Sequence, residues 1–136
     1  MVHILAVSRL MNQAVGDAIS GLLLVEAVLR CGTSLEQWEA LYADLPSRQT
    51  KLKVADRAAI TTADAERRCV TPAGLQAAID GVVAKVPRGR AFARPSGTED
   101  AVRVYAEAET QAVADELAKE VGRLVYDMAG GVGARP

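Results

Sequence analysis

From Leu10 to Leu29 the apolar residues Leu10, Ala14, Ala18, Leu22, Val25 and Leu29 recur at spacings of three and four, the pattern of a helix with a broad apolar stripe. Gly32 closes it. Ser34 is placed to cap a shorter helix through Tyr42, with Leu35, Trp38, Leu41 and Tyr42 on one side, and Asp44-Leu45-Pro46-Ser47 breaks that helix. The run from Ala18 to Leu29 is shorter than a bilayer requires and is bounded by Asp17, Glu26 and Arg30, which predicts a buried helix of a soluble protein. Trp38 and Tyr42 are expected in a core or at a domain contact.

Beyond this point the period changes. Leu45 to Thr50 read as a linker, after which Leu52, Val54 and Ala55 interleave with Lys51, Lys53 and Asp56, predicting a strand with one buried face. The chain therefore divides into a helical part, 1–46, and a second unit, 51–136. Thr61, Thr62 and Asp64 predict the opening of a short helix. Thr71 and Pro72 predict another, with Thr at the cap and Pro at the first helical position. Its apolar face is Leu75, Ile79, Val82, Val83 and Val86, and Pro87 ends it. Arg90 to Ala93 predicts a short strand. Ala101 to Ala108 predicts a longer one, because Val102, Val104 and Ala106 alternate with Arg103, Tyr105 and Glu107. A last helix starts at a Thr110 cap, carries Val113, Leu117, Val121, Leu124, Val125 and Met128 on one face, and stops at Gly130-Gly131. The order β-α-β-β-α predicts an α+β fold, a small sheet with helices packed against it.

Composition narrows the function classes. The chain has 136 residues, half of them hydrophobic, enough for one core-bearing domain with a small appendage. Sixteen Lys and Arg against 17 Asp and Glu leave a net charge of -1. A protein that coats nucleic acid carries a surplus of cations, so nucleic acid is not an expected partner, nor is a membrane. Cys31 and Cys69 lack metal-ligand spacing and predict free thiols in a reducing compartment. His3 is the one histidine and lies near a terminus, which argues against a Ser/His/Asp or Cys/His relay. The first nine residues have no basic stretch ahead of their short apolar run and do not read as a signal peptide. A cytoplasmic location is expected.

One segment carries candidate chemistry. Between the two C-terminal strands lies Arg94-Pro95-Ser96-Gly97-Thr98-Glu99-Asp100, followed by Arg103. Consecutive amides of Ser96, Gly97 and Thr98 can turn toward one anion, since glycine tolerates unusual backbone angles and a close approach. The Ser96 and Thr98 hydroxyls add donors. Arg94 and Arg103 stand at the mouth of the same hairpin, where guanidinium forks grip phosphate oxygens in pairs. The pattern alone serves equally well as a solvated turn whose arginines pair with Glu99 and Asp100. Those two acids are expected to orient the turn or the arginines and not to act as acid and base. Arg67, Arg68, Arg88 and Arg90 read as an ordinary charged face beside Asp64 and Glu66.

The stretch from Arg90 to Ala108 resembles the phosphate-binding loop of the α-D-phosphohexomutases. Asn12 to Ser20, Trp38 to Pro46, Val54 to Arg57 and Thr62 to Arg67 resemble the same family, within it most closely the members that act on N-acetylglucosamine phosphate. The likeness runs from about Leu10 to Pro136, whereas the first nine residues fit poorly, which suggests a fragment, a truncated gene or an alternative start. The resemblance implies the last part of a four-domain enzyme: closing helices of the third domain, then a C-terminal domain of TATA-box-binding-protein-like fold. It implies an isomerase that works by intramolecular phosphoryl transfer, with substrate phosphate held by Arg94, Ser96, Gly97, Thr98 and Arg103. The family's catalytic serine loop, its Asp-rich magnesium loop and its sugar-recognition loop have no counterpart in the chain. No catalytic or metal-ligating residue is therefore assigned, magnesium belongs to the full-length enzyme, and this chain alone is expected to be inactive. A sugar phosphate and the remaining mutase domains are the implied partners. The alternative is a module that binds a sugar phosphate or a protein without turnover. In the isolated chain the apolar stripe of the helical part is expected to be incompletely covered.

Overall fold

The computed structural model describes residues 16–136 and divides the chain into two compact units, Met1–Asp44 and Leu45–Pro136. In the first, helix α1 spans Ala18–Arg30 and α2 spans Leu35–Glu39. The Asp17 carboxylate caps α1, accepting from the amides of Ile19 and Ser20 at 3.0 and 3.3 Å and from the Ser20 hydroxyl at 2.6 Å. The bond from the Ser20 hydroxyl is the main reason its carboxyl lies below the ordinary value. The described helix starts at Ala18. Leu10 and Ala14 fall outside the described residues. Ser34 and Gln37 form a reciprocal capping box on α2, which ends before Tyr42.

The expectation of a buried helix fails here. No residue of α1 or α2 is buried, with Ile19 70% and Leu22 66% exposed. Trp38 is half-buried and Tyr42 exposed, so neither belongs to a core of this unit. Uncovered apolar surface is what the sequence led one to expect of the stripe.

The second unit begins with strand β1, Ser47–Lys53, which absorbs most of the expected linker. A short 3-10 turn at Arg57–Ala59 leads to β2, Thr61–Ala63, and β3, Arg68–Thr71. These two form an antiparallel hairpin where a helix was expected. The Thr71 hydroxyl explains the difference: it accepts from the Thr61 amide at 2.8 Å and so ties the strands instead of capping a helix. Pro72 follows a cis peptide bond, and helix α3, Leu75–Val83, has Gly74 as its N-cap in the left-handed region at φ 88° with no side-chain cap bond. Glycine takes that conformation without steric cost.

Strands β4, Arg90–Pro95, and β5, Ala101–Glu107, are the predicted hairpin. The sheet order is β1-β5-β4, antiparallel throughout. Helix α4, Gln111–Met128, starts at the Thr110 cap and buries Ala114, Leu117, Ala118, Val121, Gly122 and Val125. Val113 and Met128, assigned to that face from the sequence, are instead 40% and 37% exposed. Leu75 and Ile79 of α3 join Val102, Val104 and Ala106 of β5 and the α4 face in one core. Arg48 of β1 binds Asp115 of α4 through two bonds of 2.7 and 3.0 Å, a forked pairing. Both cysteines are free, Cys31 exposed and Cys69 buried. The Cys69 thiol donates to the Ala93 carbonyl at 3.3 Å, and burial pushes its pKa up.

Candidate functional site

The two-residue period of a strand sends Val102, Val104 and Ala106 into the core and turns Arg103, Tyr105 and Glu107 to the other face of the sheet. Register does the rest. Arg103 is the cross-strand partner of Arg94 on β4 and of Lys51 on β1, so three cationic residues from three strands form a row on the face away from the core. At the end of that row, Glu66, Arg94, Pro95, Ser96, Gly97 and Arg103 line an open cleft of about 210 Å³. Farther along the same face Phe92 and Tyr105 stack with ring centres 5.0 Å apart, and Arg90 lies 5.7 Å over the Tyr105 ring.

The bend itself is held from several sides. The Ser96 amide donates to the Ala101 carbonyl at 2.8 Å, and the Val54 amide donates to the Asp100 carbonyl at 3.2 Å. Arg57 donates to the Ser96 carbonyl at 3.2 Å, from a turn capped by Asp56. Ser96 is 5% exposed, yet its hydroxyl has no hydrogen-bond partner among the described residues. A buried hydroxyl without a partner costs free energy. Among the described residues the Gly97 and Thr98 amides also carry no hydrogen bond.

Gly97 differs from expectation. Its φ is not positive, and a Cβ built on it would meet nothing within 4 Å. Neither backbone angle nor packing requires glycine there. Only open space lies in front of it.

The acids are deployed differently from the simple turn reading. Glu99 pairs with Lys51 of β1, which is the main reason its carboxyl is held below the ordinary value, with Arg103 and Lys53 adding to the effect. Arg94 pairs with Glu66 at 3.2 Å. Among the described residues no carboxylate lies within ion-pair distance of Arg103. Arg94, Ser96, Gly97 and Arg103 are thus brought to one cleft, while Thr98 is exposed in the same bend and does not line it. Three neighbours were not singled out from the sequence: Lys51, Arg57 and Glu66. Alternation on β1 marks Lys51 as outward-facing, but nothing local reveals the register that sets it beside Arg103. The charged face, by contrast, is as expected: Arg67 pairs with Asp64, Arg68 with Asp80, Arg88 with Glu109 and Arg90 with Glu107.

The family model described as the phosphoglucomutase/phosphomannomutase C-terminal domain matches residues 45–124, the stretch that holds the cleft. The chain belongs to the α-D-phosphohexomutase family. A second model of this kind, phosphoacetylglucosamine mutase AMG1, domain III, matches residues 1–34. That match begins at the first residue, so the expectation that the first nine residues depart from the family is corrected. The phosphoacetylglucosamine mutase of Mus musculus is 60% identical over 93% of this chain and 24% of its own length, and that of Arabidopsis thaliana 56% identical over 94% and 23%. The N-acetylphosphoglucosamine mutase of Aspergillus fumigatus, solved in complex with GlcNAc-6P and magnesium, superposes with a TM-score of 0.78 at 52% identity, covering 91% of this chain and 23% of that one. The chain therefore spans about a quarter of the length of these phosphohexomutases, and its likeness is to their C-terminal portion.

Magnesium is present in that fungal structure. Among the described residues here, no three His, Cys, Asp or Glu side chains converge as metal ligands. No helix among the described residues is long and apolar enough to cross a membrane.

Proposed function

We propose that the cleft between β4 and β5 binds the phosphate group of a phosphorylated sugar. Arg94 and Arg103 supply paired positive charge, the Gly97 amide and the Ser96 hydroxyl supply donors from the cleft wall, and Thr98, exposed in the same bend, reaches the anion from the rim with its amide and hydroxyl. One observation carries this reading: a serine hydroxyl buried without a partner beside two arginines and two unengaged amides. An anion in the cleft satisfies all of them together. The glycine that neither fold nor packing requires then has a reason, since a Cβ would stand where the anion enters.

In the whole protein this clamp serves an intramolecular phosphotransferase that interconverts N-acetylglucosamine 6-phosphate and N-acetylglucosamine 1-phosphate toward UDP-N-acetylglucosamine. The high identity to phosphoacetylglucosamine mutases supports that choice of sugar. Residues 1–46 are then a helical part of the third domain and 51–136 the C-terminal phosphate-binding domain. The reacting serine and the magnesium site belong to other domains of a full-length enzyme in the cytoplasm, and this chain by itself does not turn over.

The test is a titration of the chain with N-acetylglucosamine 6-phosphate and, in parallel, with N-acetylglucosamine. Each charge-assisted hydrogen bond is worth about 1.5 to 3 kcal/mol, so Arg103→Ala should weaken the phosphorylated ligand about 10- to 150-fold and leave the free sugar unchanged. Equal loss for both ligands would show that Arg103 supports the fold and not the anion. A parallel mutase assay with magnesium and a sugar bisphosphate separates the two classes of function. Saturable binding without turnover is expected of this chain, and turnover would overturn its assignment as a clamp alone.

A further inference from the structure

The cleft contains one acid, Glu66, and its presence in an anion site needs a reason. It arrives from the β2–β3 hairpin, far from the bend in sequence, and its carboxylate accepts from Nη1 of Arg94 at 3.2 Å. The turn that delivers it is set firmly. Asp64, Ala65 and Glu66 all lie in the left-handed region, with φ of 53°, 53° and 64°, a conformation that residues with a Cβ adopt only when held there. Arg67 holds it, bonding both the carbonyl and the carboxylate of Asp64 at 3.1 Å.

Resting on the phosphate reading above, we propose that Glu66 is a positioning residue: an internal counter-ion that keeps Arg94 turned to the cleft and that an arriving phosphate must displace. Arg94 has five N–H donors in a fixed fork, and Glu66 occupies the Nη1 end. A phosphate dianion that takes the fork in a paired geometry must push this carboxylate aside or bind with fewer bonds. Glu66 therefore weakens anion binding while preorganising the arginine, and so sets how readily the clamp lets go. Both side chains are about half exposed, 44% for Arg94 and 54% for Glu66. Exposed pairs of this kind are weak, so the expected effect is modest.

The experiment is a calorimetric titration of the full chain with inorganic phosphate. Glu66→Gln should bind phosphate about threefold more tightly, the size expected of an exposed ion pair, with unchanged melting temperature. Glu66→Ala should agree with it. Glu109→Gln, which removes the same charge from the Arg88 pair outside the cleft, should leave affinity unchanged. In an Arg94→Ala background, adding Glu66→Gln should do nothing, because the group it competes for is gone. Weakened or unaltered binding in both Glu66 variants would overturn the counter-ion role, as would equal tightening with and without Arg94. If Arg94→Ala weakens phosphate binding while the Glu66 variants fail, the phosphate site stands and this inference alone falls. If Arg94→Ala leaves phosphate binding untouched, the site itself is refuted and the inference with it.

Discussion

Helices α1 and α4 invert the usual association of apolar content with burial. α1 is built mostly from Ala, Ile, Leu and Val, with Glu26 and Arg30 as its charged residues, yet none of its residues is buried. α4 carries Asp115, Glu116, Lys119, Glu120, Arg123 and Asp127, yet buries six residues completely enough to anchor a core. Apolar surface is removed from water only where a complementary surface exists to receive it. α4 finds one in the sheet and α3, whereas α1 and α2 form no core of their own. A rich apolar stripe is thus evidence of a surface meant to be covered, and says little about what covers it.

The sharpest way to break this comparison is to truncate one leucine in each region. Leu75, with 0% exposure, should cost about 2 to 5 kcal/mol on change to alanine, counting both lost transfer energy and the cavity. Leu22→Ala, at 66% exposure, should change unfolding by less than about 0.5 kcal/mol. Urea unfolding of both variants decides it, and similar costs would mean that α1 has a core after all.

A smaller effect separates fold from site. Ser96→Ala removes a hydroxyl that has no partner, so its loss should leave urea stability the same or slightly higher. Phosphate affinity should fall by about 1.5 kcal/mol or more, the worth of a hydrogen bond to a charged group. A stability loss instead would show that the hydroxyl is engaged within the protein. Gly97→Ala should behave alike, folding unchanged and binding weakened, since space but not strain surrounds that position.

The smallest effect is in acid. Bonds from Arg48 first, and then Gln111, hold the Asp115 carboxyl at about 2, below its ordinary 3.8. A depressed folded value means that this contribution is complete above about pH 4 and is lost as pH falls through the window from 3.8 to about 2. Asp115→Asn should therefore flatten the pH dependence of unfolding in that window and leave its slope nearer neutrality unchanged. An unaltered acid slope would show that the forked pair does not couple β1 to α4.

What could be read from residues alone follows the distinction between local and distant interactions. The β4–β5 hairpin and α4 were legible because alternation, the Thr110 cap and the Gly130 stop are all local signals. The β2–β3 hairpin was not, because Thr61 and Thr71 act as strand partners only once they meet across the turn. Thr71-Pro72 carries a convincing cap signature, yet Gly74 takes the N-cap position of α3. The site divides in the same way. Its arginines and its bend sit within ten residues of one another in sequence, whereas Glu66, Lys51 and Arg57 reach it through register and a distant turn.

The most direct measurement is an amide chemical-shift titration of the chain with N-acetylglucosamine 6-phosphate. The largest saturable shifts should fall on Gly97 and Thr98 and should vanish in Arg103→Ala. Shifts confined to other regions, or none at all at saturating ligand, would contradict the assignment of this bend as the phosphate clamp.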